Sequence, residues 1–161
     1  MHAGMVAASA TPRLTLHFEI AGATAYAYSR TSFPVLVTLC RAAGGMYSTR
    51  IYLMGHSMGA YGTWSIAMNH PEIFAALGPI SGGGTPAGMV KISHIPEYVV
   101  HGDDDRTVPV TQSRNMVEAG KKAGAEIVYV EVPGGSHVGV AAPAFAGMLD
   151  FFARQKRAER Q

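Results

Sequence analysis

The amino-acid sequence predicts an α/β protein with a mainly parallel sheet flanked by helices. From residue 50 onward, short apolar runs alternate with segments of helical periodicity, which is the pattern of repeated β-α units. Gly, Pro or Asp bounds each apolar run, as expected at strand ends. With 161 residues, 48% hydrophobic and 15% charged, the chain suits a compact unit with its own core. We therefore expect one domain over residues 1–161.

Four apolar or β-branched runs predict the parallel strands of this sheet. Such strands are buried on both faces, so they are continuously apolar rather than alternating. The carboxyl ends of parallel strands share one edge, where open α/β folds place their sites. The predicted strands are residues 51–54, 74–80, 97–101 and 126–132.

Three helices are predicted between and after these strands. The first covers residues 58–69 and ends before Pro71, which disfavours helical backbone in the residue that precedes it. The second has Pro109 near its start and Gly124 just beyond its end. The last carries an apolar stripe at i, i+3, i+4 and i+7, formed by Phe145, Met148, Leu149 and Phe152.

The segment 1–49 is an atypical N-terminal part of the predicted domain. Apolar residues alternate with polar ones from Leu14 to Ile20, as in a half-buried strand. Two interpretations fit residues 33–43, a helix opened by Pro34 or a strand over residues 35–39, and we favour the helix. Cys40 is the single cysteine and is expected in the core.

Charge and hydropathy exclude two classes of partner. The net charge is +2, and no stretch combines Lys or Arg with aromatic residues as a nucleic-acid surface would. No apolar run approaches the roughly 18 residues that indicate a membrane span. Residues 1–10 are small and apolar but have no basic leader, so we expect a cytoplasmic location.

Residues 55–59 read Gly-His-Ser-Met-Gly between a predicted strand and a predicted helix. Ser57 on such a sharp turn takes a strained backbone, and the flanking glycines let neighbouring segments approach. This context predicts Ser57 as a nucleophile. The Met58 N–H, at a helix N-terminus, is expected to stabilise an oxyanion, and His56 to line the substrate pocket.

A nucleophilic serine needs a base, and the base needs an orienting partner. Residues 101–109, His-Gly-Asp-Asp-Asp-Arg-Thr-Val-Pro, follow one predicted strand, and Gly-Gly-Ser-His at 134–137 follows the next. Both segments lie at the same sheet edge, which predicts His137 as general base beside an aspartate. A cation site in the aspartate run is disfavoured because no glycine-spaced calcium loop surrounds it. His101 has no ligand motif around it, and we expect a structural role.

Residues 50–153 resemble the α/β-hydrolase superfamily, and most closely its dienelactone-hydrolase, feruloyl-esterase and predicted-peptidase group. Residues 50–59, 70–74 and 101–109 carry the resemblance. The chain order Ser57, Asp105, His137 is that of the superfamily. In this group the acid is the aspartate of H-G-x-x-D-x-x-V-P, which corresponds to Asp105, with Asp104 as second choice. The resemblance implies a compact, minimal α/β-hydrolase fold.

The N-terminal part departs from that family. Its members usually carry a longer N-terminal half with a His-Gly-Gly loop that donates a second oxyanion N–H, and residues 1–49 lack this motif. The candidate donors are residues 21–23 and the hydroxyls of Tyr26 and Tyr28. The short, Gly- and Pro-rich segment 82–94 leaves little room for a cap domain, so we expect an open site.

These residues predict serine-dependent hydrolysis of short-chain or aryl carboxylic esters through an acyl-enzyme. The substrate would be a small-molecule ester, and this chemistry requires neither a metal ion nor an organic cofactor. A peptidase or amidase with the same triad is one alternative, and a truncated, non-catalytic domain is another. A shortened sheet would expose an edge, so a homodimer is a further expectation.

Overall fold

The sheet of this protein joins an antiparallel half to a parallel half. A computed structural model describes residues 15–20, 23–28, 37–42 and 49–158, the first three ranges by their backbone alone. Within them, seven strands lie side by side in chain order. β1 to β4 pair antiparallel, and β4 to β7 pair parallel. The strands are β1 Thr15–Ile20, β2 Ala23–Tyr28, β3 Val37–Ala42, β4 Ile51–His56, β5 Ala76–Ile80, β6 Glu97–Gly102 and β7 Ile127–Val132.

Helices cover both faces of the parallel half. They are α1 Met58–Asn69, α2 Thr111–Lys122 and α3 Ala141–Arg154, with a short 3-10 helix at Pro86–Ile92. These elements confirm the predicted α/β class with its parallel sheet and flanking helices. Between β5 and β6 the chain forms only that 3-10 helix, so no cap domain lies there. None of the helices in the described part of the chain is long and apolar enough to cross a membrane.

Alternate residues of each parallel strand supply two separate cores. Leu53 on β4 packs with Trp64 of α1 and Met116 of α2. The neighbouring residue Met54 faces the other way and packs in the cluster that contains Phe152 of α3. Side chains alternate between the faces of a sheet, so continuous apolar strands need helices on both sides to bury them. This three-layer arrangement fixes β4, β6 and β7, whose carboxyl ends carry the candidate site.

The preference for a helix over residues 33–43 was wrong where the structure describes them. Residues 37–42 form β3, which hydrogen-bonds to β2 on one side and to β4 on the other. Pairing along both edges stabilises extended backbone, and this tertiary effect is invisible to the periodicity of a short apolar run. Residues 33–36 and 43 lie outside the described part, as does the side chain of Cys40.

The apolar stripe of α3 differs from the predicted one by a single residue. Met148 and Phe152 are buried as expected, but Leu149 is 39% exposed. Phe151 is buried instead, with its ring 5.6 Å from that of Tyr98 on β6. The helix is therefore rotated relative to the prediction, so that Phe151 rather than Leu149 meets the sheet.

Candidate active site

Ser57 occupies a strained turn between β4 and α1. Its backbone angles are φ 58° and ψ −121°, a conformation that non-glycine residues rarely adopt. The Ser57 N–H donates to the Ile80 carbonyl at 2.8 Å, which ties the turn to the end of β5. A Cβ added at Gly55 would collide with the backbone of Gly59. The two glycines therefore allow the strand and the helix to meet closely enough to present the serine.

Asp105 is buried in the loop after β6 and accepts several hydrogen bonds. Its Oδ1 accepts from the Thr107 N–H at 2.9 Å and from the Val108 N–H at 2.8 Å. Burial raises the pKa of Asp105, but the bond from His137 and the two backbone bonds lower it more. The net pKa of Asp105 lies below its ordinary value, so the carboxyl is ionised at neutral pH.

His137 connects the acid to the serine. Its Nδ1–H donates to Asp105 Oδ2 at 2.7 Å, and its Nε2 accepts from the Ser57 hydroxyl at 2.9 Å. The His137 backbone is held as well, because its carbonyl accepts from His56 Nε2–H at 2.7 Å and from the Ser81 hydroxyl at 3.3 Å. The imidazole is thus fixed at both nitrogens and at its own main chain.

Backbone contacts join the acid loop to the histidine loop. The Asp103 N–H donates to the Val132 carbonyl at 3.1 Å, and Asp103 Oδ1 accepts from the Gly134 N–H at 2.6 Å. A Cβ at Gly102 would collide with the backbone of Gly135. The absence of a side chain at Gly102 and Gly135 lets the two loops lie against each other, and this contact sets the distance between Asp105 and His137.

The structure brings Ser57, His137 and Asp105 into one hydrogen-bonded chain and leaves Asp104 outside it. The Asp104 carboxylate is 54% exposed and pairs with Arg106 at 3.2 Å. Sequence reasoning missed two residues whose side chains contact these three, Ser81 and His101. Ser81 has no sequence signal, whereas His101 is the first letter of the motif that identified Asp105.

The predicted oxyanion and pocket residues lie around the serine. Met58 is the first residue of α1, where a helix N–H has no intrahelical acceptor. His56 lies at the end of β4 and contacts the His137 loop. Tyr28 pairs with Val37, and Val37 pairs with Gly55, so Tyr28 ends β2 on the same sheet edge as Ser57. Residues 21–22 and the side chains of Tyr26 and Tyr28, with their predicted donor hydroxyls, lie outside the described part.

A cavity of about 460 Å³ lies behind the histidine loop, between the β6–β7 face and α3. Tyr98, Val130 and Ala144 line it, but Ser57 and His137 do not. The cavity is therefore separate from Ser57. Among the described side chains, no group of three His, Cys, Asp or Glu is placed to hold a metal ion.

No protein-family model matches the sequence, and no curated protein gives a significant match. Solved structures do resemble the fold. A thermostable esterase is 36% identical over 68% of this chain and 32% of its own, with a TM-score of 0.65. Arabidopsis thaliana SOBER1 is 20% identical over 64% and 51%, with a TM-score of 0.56. Pyrococcus horikoshii acylaminoacyl peptidase is 16% identical over 71% and 25%, with a TM-score of 0.60.

The chain spans about a third of the length of the esterase and about half of SOBER1. The likenesses to SOBER1 and to the peptidase concern the fold. They agree with the resemblance found in residues 50–153 and with the strand-turn-helix that carries Ser57. The chain thus has an α/β-hydrolase fold, and its site motifs resemble those of the α/β-hydrolase superfamily.

Proposed function

We propose that this protein hydrolyses carboxylic esters through an acyl-enzyme on Ser57. The observation that carries the proposal is the unbroken chain from Ser57 Oγ through the His137 ring to Asp105, with distances of 2.9 and 2.7 Å. A base within hydrogen-bond reach of the hydroxyl, itself oriented by a buried carboxylate, is what nucleophilic catalysis by serine requires. The likeness to a thermostable esterase supports an ester as substrate.

The reaction begins when Ser57 Oγ attacks the ester carbonyl carbon while His137 Nε2 takes the hydroxyl proton. The oxyanion that forms is stabilised by the Met58 N–H at the start of α1. Collapse of this intermediate breaks the bond to the alcohol oxygen, which leaves with the proton from His137. Water then attacks the acyl carbon with His137 again as base, the bond to Ser57 Oγ breaks, and Oγ takes back the proton from His137 as the carboxylic acid is released. Asp105 remains ionised throughout and stabilises the imidazolium.

The surroundings of Ser57 favour an ester with an apolar group that is reached from solvent. Met58, next to the nucleophile, is 49% exposed, and Val138, next to the base, is 70% exposed. Exposed apolar side chains on both sides of a reacting pair lose water contact when an acyl or aryl group binds. This arrangement supports short-chain or aryl esters over a long chain that needs an enclosed tunnel.

The first test is hydrolysis of p-nitrophenyl acetate and butyrate by the wild type and by Ser57→Ala. The wild type should release p-nitrophenol and take up one fluorophosphonate label, measured by mass spectrometry. Ser57→Ala should lose both, with hydrolysis falling by about 1,000-fold or more because the nucleophile is gone. Equal rates in the two proteins would sink the proposal and leave a hydrolase-like domain without this activity.

Two further variants make the test specific to the base. His137→Ala should reduce hydrolysis as strongly as Ser57→Ala, since the triad acts as a unit. His94→Ala is a matched control, because His94 is exposed and bonds only to the Pro71 carbonyl at 3.1 Å among the contacts described. It should leave the rate unchanged. An aminoacyl p-nitroanilide assayed beside the esters separates ester from amide preference.

A further inference from the structure

His101 lies behind the acid of the triad, in the buried end of β6. Its side chain is fully buried, and its Nε2 lies 3.0 Å from the Val108 carbonyl and 3.1 Å from Asp105 Oδ2. Both neighbours are acceptors, so Nε2 carries a proton. The hydrogen bond goes to Val108, while the Asp105 carboxylate lies at ion-pair distance.

This bond fixes the turn that holds Asp105. The Val108 carbonyl accepts from His101, and the Val108 N–H donates to Asp105 Oδ1 at 2.8 Å. Val108 thus accepts a hydrogen bond from His101 and donates one to Asp105. The aspartate is therefore held between His137 on one side and the His101–Val108 pair on the other.

The other nitrogen of His101 is anchored to a different part of the fold. Nδ1 lies 2.7 Å from the Ser113 hydroxyl on α2, and this hydroxyl lies 2.9 Å from the Gly82 carbonyl after β5. Ser113 is also fully buried. The ring is therefore held at both nitrogens. Through Ser113, the loop that carries Asp105 is connected to α2 and to the segment after β5.

We propose that His101 is a positioning residue that sets the place of the Asp105 carboxylate relative to His137, with Ser113 as its anchor. This inference rests on the proposed function for its kinetic consequences. Loss of the Nε2–H donor would free the Val108 carbonyl and let Asp105 drift from His137 Nδ1. A displacement of about 1 Å in such a site costs up to about 100-fold in rate.

The test compares three variants with kcat expressed per fluorophosphonate-titrated site. His101→Leu keeps apolar bulk but removes both ring nitrogens, and its kcat should fall about 10- to 100-fold with KM within twofold. His101→Gln keeps an N–H near the position of Nε2, and its kcat should stay within about fivefold of the wild type. Ser113→Ala removes only the anchor, so its kcat should fall between the two.

A proton NMR readout does not depend on hydrolysis. The His137 Nδ1–H bonded to Asp105 should give a low-field resonance in the wild type, assigned by its loss in His137→Gln. It should broaden or shift in His101→Leu and remain in His101→Gln. A wild type that shows this resonance but hydrolyses no ester would refute the proposed function and leave the positioning role standing.

Other outcomes overturn the positioning role itself. A kcat for His101→Leu within twofold of the wild type, with an unchanged resonance, would show that Asp105 holds its place without the ring. Equal losses in His101→Leu and His101→Gln would show that ring shape rather than the donor matters. Should His101→Leu not fold, Ser113→Ala decides, and a wild-type kcat for Ser113→Ala contradicts the inference.

Discussion

Two buried carboxyl groups lie at opposite ends of β6, and their pKa values are shifted in opposite directions. Glu97 begins the strand and is fully buried in the core beneath α1. Asp105 follows the end of the strand and is buried at the sheet edge. The pKa of Glu97 is raised to about 7 by burial, although the bond from Trp64 lowers it somewhat. The pKa of Asp105 lies below its ordinary value.

The number of donors explains the difference. Among the described residues, Glu97 receives one bond, from the Trp64 indole N–H at 2.8 Å, and no partner there reaches its buried Oε1. Asp105 receives bonds from Thr107, Val108 and His137. Burial alone favours the neutral carboxyl, and only sufficient donors keep the charged form. The site therefore has its ionised acid because the 101–109 loop supplies N–H groups.

The largest expected effect comes from removing the charge of Asp105, the carboxyl that accepts several hydrogen bonds. Asp105→Asn should lower kcat for p-nitrophenyl acetate by about 1,000- to 10,000-fold, because an amide no longer favours the imidazole tautomer that accepts from Ser57. Steady-state kinetics with active-site titration measure this change. The melting temperature checks that the variant is folded. A loss below tenfold would show that His137 is oriented by other contacts.

Glu97→Gln should alter the pH dependence of stability. The pKa of Glu97 is about 7 in the folded chain and about 4.5 in the unfolded chain. As pH rises, the Glu97 carboxyl therefore ionises in the unfolded chain before it ionises in the folded chain. Its contribution to the free energy of unfolding is fully present below pH 4.5 and is lost as pH rises to about 7. The resulting loss is about 3 kcal/mol. Glu97→Gln lacks this titration. Between pH 4.5 and about 7, its free energy of unfolding should therefore rise by that amount relative to the wild type.

Urea denaturation at pH values from 4.5 to 8 measures this difference. The comparison within each pH cancels contributions from other titrating groups, which both proteins share. Parallel stability curves for the wild type and Glu97→Gln would contradict a raised pKa for Glu97. Asp105 contributes with the opposite sign, because its lowered pKa gives stability that is lost as pH falls.

The smallest effect should come from the neighbouring exposed acid. Asp104 pairs with Arg106 on the surface and does not contact His137. Asp104→Asn should leave kcat within about twofold and the free energy of unfolding within about 1 kcal/mol, as is usual for an exposed ion pair. The same assays as for Asp105→Asn apply. A large loss of kcat in Asp104→Asn would show that Asp104, and not Asp105, acts as the acid.

Much of the parallel half was predictable because its signals are local. The strand runs before residues 55–59 and 101–109 are bounded by turn residues, and the helix over Met58–Asn69 has the predicted limits. The motif containing Asp105 also includes His101 and Val108, both of which contact Asp105. The motif therefore includes two residues that contact Asp105, but it does not indicate the role of either one.

Features that depend on distant partners were not predictable. β3 is extended because β2 and β4 flank it, and these pairings are not encoded within the run itself. Phe151 rather than Leu149 meets the sheet, where its ring contacts that of Tyr98. Ser113 and Ser81 reach the site from α2 and from the end of β5, and neither has a local motif.

The backbone of Ser57 has a consequence for the improvement of this protein by directed evolution. Holding a serine at φ 58° and ψ −121° costs on the order of 1–3 kcal/mol. Glycine accepts this conformation without that cost, so Ser57→Gly, which removes the proposed nucleophile, is expected to melt at a higher temperature than the wild type. Selection for heat resistance alone would therefore reward inactive variants. A screen has to score turnover together with melting.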